Sequence, residues 1–121
     1  MAERANLAGT CSGKEPDLEE SAKWYRASAE QGFAPAQDAL GQLLMVFPVF
    51  HREPFEAEQW FLQAARQGEI EAGKHLLWAI DVDSGRPGYK PRADMLVWLQ
   101  QQAAAGDEKA KRLLARLAPK N

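Results

Sequence analysis

The chain has 121 residues, 45% of them hydrophobic and 26% charged, with 15 basic against 17 acidic side chains and a formal net charge of -2. That balance excludes the basic surface a nucleic-acid footprint needs, and the length suits one domain with little over for a catalytic insertion. Cys11 is the single cysteine, so no intramolecular disulfide is available and a reducing cytoplasm fits best, with the periplasm as the alternative for a chain whose leader peptide has been removed. No run approaches the 18 apolar residues of a membrane-spanning helix.

Residues 1–15 mix small and polar types with Gly9 and Gly13 and read as a flexible tail, after which a single domain is expected over 16–118. Asp17 stands where an N-cap belongs. The helix it opens, expected over 17–31, carries Ser21, Trp24, Tyr25, Ser28 and Ala29 on one stripe. Gly32 follows, the residue type that accepts the left-handed backbone closing a helix end. A second helix is expected over 35–47, opened by Pro35 and facing inward with Ala36, Leu40 and Leu44.

The same arrangement recurs. Trp24, Ala29, Gly32, Ala36 and Leu40 are matched by Trp60, Ala65, Gly68, Ala72 and Leu76, and again by Trp98, Ala103, Gly106, Ala110 and Leu114, with the tryptophans 36 and 38 residues apart. Such spacing belongs to two-helix units that bury their apolar faces only by stacking. Helices are accordingly expected over 54–67 and 69–80, with Ala72, Leu76 and Ile80 inward, and over 92–105 and 107–117, with Ala110, Leu114 and Leu117 inward and Asp107 as N-cap. Pro54 and Pro91 sit at the starts of two of these helices, and the joint before Pro91 is broken by Gly85, Pro87 and Gly88. The three repeats are bounded at about 17–47, 54–80 and 92–117.

The segment Ser21-Ala-Lys-Trp-Tyr-Arg-Ala-Ser-Ala-Glu-Gln-Gly32, followed by Ala36 and Leu40-Gly41, resembles the Sel-one-like repeat, a relative of the tetratricopeptide repeat. So does Ala57-Glu-Gln-Trp-Phe-Leu-Gln-Ala-Ala-Arg-Gln-Gly68. The third unit departs from the pattern at Met95, Leu99 and Gln102, and Phe47 stands where the turn between repeats commonly has glycine. The resemblance implies an all-α fold, a right-handed α-solenoid of three stacked helix-turn-helix repeats, and a non-catalytic adaptor that binds a partner protein on its concave side. An immunity or antitoxin protein that neutralises a toxin effector is the narrower alternative, by analogy with other members of the family. The secreted branch with paired cysteines in each repeat does not match this chain.

The residues themselves give no constellation for an enzyme such as a hydrolase, no cofactor motif and no metal set. His51 and His75 lie 24 residues apart without companions at ligand spacing. Asp81-Val-Asp83-Ser-Gly85 imitates a calcium loop, but its glycine comes one place early and Arg92 occupies the place of the bidentate Glu, so a polar turn of solvated charges is the plainer account.

Two features point outward instead. Call the first helix of each repeat A and the second B: taking Trp24 and Tyr25 as buried, the opposite sides of the three A helices hold Lys23 and Arg26, then Phe55, Gln59 and Leu62, then Val97 and Gln101, an expected apolar floor beside a basic edge that suits a partner segment with apolar and acidic residues. The run from Leu43 to Phe50 is too apolar for one helix end. It either packs locally or leaves a surface for weak self-association around Val49 and Phe50, for which the last helix is the other candidate. Trp78, off the inward stripe of its helix, is expected to pack on the long joint near Pro87 and Tyr89. Charge is uneven, with 5 basic and 10 acidic residues in 1–60 against 10 and 7 in 61–121, which a solvated face explains.

Overall fold

A computed structural model describes residues 17–117, so the expected tail and Cys11 lie outside the described residues. Six helices follow in order: α1 (Leu18–Glu30), α2 (Ala34–Val46), α3 (Glu56–Arg66), α4 (Ile70–Asp83), α5 (Ala93–Ala104) and α6 (Glu108–Leu117), with a single 3-10 turn at Pro48–Phe50. Among the described residues there is no strand, and the fold is all-α. No helix among them is long and apolar enough to cross a membrane.

The helix ends follow from the residues that occupy them. The Asp17 carboxylate accepts from the Glu20 amide at 3.2 Å, and Asp107 does the same for Ala110 at 3.1 Å, each satisfying a donor with no partner inside its helix. Gly32, Gly68 and Gly106 adopt φ of 91°, 98° and 103°. At each, two bonds close the helix: the glycine amide reaches a carbonyl three residues back (Ala29, Ala65, Ala103) and the next amide reaches one five back (Ser28, Ala64, Gln102). A side chain at these positions would be strained, so the recurring glycine is a turn requirement.

Each of these turns folds its two helices into a hairpin, α1 on α2, α3 on α4 and α5 on α6. The first and second hairpins meet closely along α2 and α3. The third meets the second mainly through α4 and α6, and no comparable backbone approach joins α4 to α5. One continuous core results, with Leu40, Leu44, Phe61, Leu76, Ile80, Met95 and Leu99 fully buried.

Several expectations are corrected here. The repeated tryptophans are not equally buried: Trp24 is 70% exposed, Trp60 is half-buried and Trp98 is 7% exposed. Phe61 and Trp98 explain the gradient, since the Phe61 ring lies on Gly41 of α2 and the Trp98 indole passes 3.6 Å from the place of a Cβ on Gly73 of α4. These rings pack on the preceding hairpin, and among the described residues nothing precedes α1. In α6 the buried residues are Ala110 and Leu113, with Leu114 and Leu117 half-buried. Helix α3 starts at Glu56, two residues past Pro54, because Phe55 takes a left-handed conformation at φ 59°. Helix α4 runs on to Asp83 and thereby carries that carboxylate into the interior. The apolar run divides: Met45 and Phe50 pack on the core, whereas Val46 and Val49 stay exposed. Trp78 is exposed and Tyr89 turns to Phe55 instead, their rings edge to face at 5.0 Å.

Candidate protein-binding surface

Of the seven residues expected on the concave side, the structure keeps Lys23, Val97 and Gln101 exposed and Gln59 half-exposed, where its amide donates to Glu53. Arg26 and Leu62 are buried, Leu62 at 3% exposure, and Phe55 is half-buried against Tyr89. Arg26 and Leu62 are equivalent, each two places after the repeat tryptophan. The equivalent residue in the last repeat, Gln100, is exposed. This position is covered wherever a later repeat follows, which is why a pattern treating all three A helices alike misplaces it.

What remains is a strip. Lys23, Gln59 and Val97 are one equivalent set, Ala27, Gln63 and Gln101 another, and all but the half-exposed Gln59 are exposed. At one end of the strip Trp24 stands between two shallow clefts, one with Ser28, Gln31 and Phe33 and the other with Glu20 and Lys23.

Behind the strip, Arg26 is locked. Its guanidinium grips the Glu56 carboxylate with both terminal nitrogens, Nη1 to Oε2 at 2.5 Å and Nη2 to Oε1 at 3.3 Å, and Nη2 also reaches the Phe50 carbonyl at 3.3 Å. Glu56 accepts further bonds from the Arg52 amide at 2.8 Å and the Trp60 indole N–H at 2.9 Å. Burial alone would push the Glu56 carboxyl up, but these donors and the Arg26 charge together hold it down at about 2. Gln37 of α2 completes this joint, donating to the Ala29 carbonyl at 3.1 Å and to Gln63 at 3.3 Å while accepting from Gln67 at 2.9 Å. On the B helices His75 Nδ1 lies 2.8 Å from the Asp38 carboxylate.

A second buried group lies where the long joint returns. Glu58 and Asp83 are both buried, and Tyr89 donates its hydroxyl to Glu58 at 3.0 Å. Burial, reinforced by the neighbouring Asp83, pushes Glu58 up to about 9, so Glu58 keeps its proton at neutral pH. Burial and the Glu58 charge raise the Tyr89 hydroxyl as well. Asp83 also faces Arg86 at 3.4 Å and lines a cavity of about 380 Å³ whose apolar wall includes Leu44, Met45, Pro54 and Phe55. His51 joins the wall, lowered by burial so that it stays neutral near pH 7, with its Nε2 buried and unpartnered. Among the described residues no group of three or more His, Cys, Asp or Glu is placed to hold a metal ion.

Neither buried group was legible as a motif. Arg26 and Glu56 are 30 residues apart, and the one hint is that Leu62 fills the Arg26 position in the next repeat, an apolar residue in a place read as exposed. Compared with family models, with curated proteins and with solved structures, the chain matches none.

Proposed function

We propose that this chain is a non-catalytic protein-interaction module, a right-handed solenoid of three Sel-one-like helix pairs that receives a partner segment along its A helices. The order of three hairpins, each closed by its glycine turn, supports the architecture. The observation that carries the function is the surface strip Lys23, Gln59, Val97 and Ala27, Gln63, Gln101, in which equivalent positions of all three repeats stay solvent-accessible while their neighbours Arg26 and Leu62 are sealed inside. It is amide-rich, with one cation and one exposed valine, so it suits an extended segment held by side-chain amides and one apolar anchor at Val97.

The test uses the full chain as bait for its native cell extract, beside a strip variant (Val97→Asp with Gln101→Arg) and an opposite-face control (Lys74→Asp). A partner kept by the control and lost by the strip variant is expected. Loss in the control alone would place binding on the B helices and overturn the assignment. Leu62→Asp is unsuitable, because it would drive a charge into the core.

A further inference from the structure

Equivalent residues meet different fates in the three repeats. The residue after each repeat tryptophan is Tyr25, Phe61 or Leu99. Phe61 and Leu99 are fully buried, and Phe61 presses on Gly41 so closely that a Cβ there would lie 2.5 Å from its ring. Tyr25, with no helix ahead of it among the described residues, is 40% exposed, and beside it Trp24 and Phe33 are bare. Three exposed rings on one end of a small protein form an unpartnered apolar face.

The opposite end carries the matching half. The place of Gly41 and Leu77 is taken in α6 by Ala115, and the place of Gln37 and Gly73 by Lys111; both are exposed. Ala115 is small where a ring has to sit. Lys111 is a long cation at the position over which the Trp98 indole passes in the preceding repeat, and its present partner Glu108, at 3.0 Å, is an exposed and weakly held one. Charge adds direction: 17–47 holds five acids and two bases, 92–117 five bases and three acids.

We propose that copies of this chain associate head to tail, α6 of one copy docking on α1 of the next, with Tyr25 seated on Ala115 and the Trp24 indole beneath Lys111. The contact repeats between molecules the packing that joins the first and second hairpins, and it adds a cation over an indole face. Because the two surfaces differ, the interface is heterologous and one copy can bind at each end.

Sedimentation velocity on the full chain tests it. The wild type should sediment faster as concentration rises, and less so at high salt. Tyr25→Asp blocks the head and Ala115→Trp the tail; both positions are exposed, so circular dichroism should show both variants folded. Each alone should be monomeric. Mixed one to one, they should form a dimer and nothing larger, since one copy retains a working α6 and the other a working α1. A wild type that stays monomeric at high concentration and low salt would overturn the proposal. So would a mixture of the variants that stays monomeric, or association that survives in both variants alone, which would place the contact elsewhere, for instance at Val49.

Discussion

The two joints between hairpins solve the same problem with different chemistry. At the first, Gly41 lets α2 and α3 approach until the Phe61 ring fills the space, and Arg26, Glu56 and Gln37 tie the helices with bonds that leave few buried donors free. At the second, Leu77 and Leu99 stand where Gly41 and Phe61 stood, and two medium side chains replace a small and a large one. Leu77 and Leu99 are both buried, and α4 and α5 make no backbone approach comparable to that of α2 and α3. Leu62 replaces Arg26, Asp94 replaces Glu56, and no ion pair joins those two. What seals the second joint is apolar packing; the carboxyls of Glu58 and Asp83 lie inside the second hairpin, on α3 and α4, with Tyr89 and Arg86 of the connecting segment against them. Identical spacing within the repeats therefore yields one closed polar joint and one open apolar joint, decided by residues outside the five that define the repeat.

The largest expected effect comes from giving the two joints the same side chain. Arg26→Met strands the Glu56 carboxylate in the interior and should cost about 3–5 kcal/mol of unfolding free energy, whereas Leu62→Met at the equivalent place should cost under about 1.5 kcal/mol. Denaturant unfolding of both variants checks this, and Arg26→Met combined with Glu56→Gln should recover part of the loss.

Next in size is a dependence on pH set by the carboxyl buried inside the second hairpin. Glu58 is raised to about 9 in the folded chain from an ordinary 4.5, so between these values the folded state binds the extra proton and stability falls as pH rises. The slope is at most about 1.4 kcal/mol per pH unit. Glu56 has the opposite sign: it is held at about 2, and its contribution is complete above 4.5 and lost as pH falls through 2. Melting temperatures from pH 7 to pH 8, above the range in which the lowered His51 contributes, should therefore fall for the wild type and flatten for Glu58→Gln, with Glu56 silent over that range.

The smallest effect sharpens the packing side of the comparison. Gly41→Ala places a methyl within 2.8 Å of three Phe61 ring atoms and should cost about 1–3 kcal/mol. Adding Phe61→Leu, which imitates the second joint, should relieve the clash and reduce the penalty.

The fold was largely readable because the signals that carry it are local. Gly32, Gly68 and Gly106 mark positive φ by their chemistry, Asp17 and Asp107 cap by theirs, and the inward alanines and leucines repeat at helical spacing. The surface was only partly readable. Helical periodicity leaves Lys23, Val97 and Gln101 on the exposed side, as they are, but cannot say how many neighbours an A helix has, and that number buries Arg26 and Leu62 while leaving Trp24 bare. The Glu58 and Asp83 pair was hidden for another reason: a helix running three residues beyond its expected end turned an apparent solvent loop into interior. Long-range pairing between charges leaves no periodic trace.

Native-state hydrogen exchange of the full chain measures the asymmetry of the joints most directly. Amides of α5 and α6 should exchange through an opening of lower free energy than those of α2 and α3, since the second joint is the weaker seam. Equal protection of the two sets, or α2 and α3 opening first, would contradict the account.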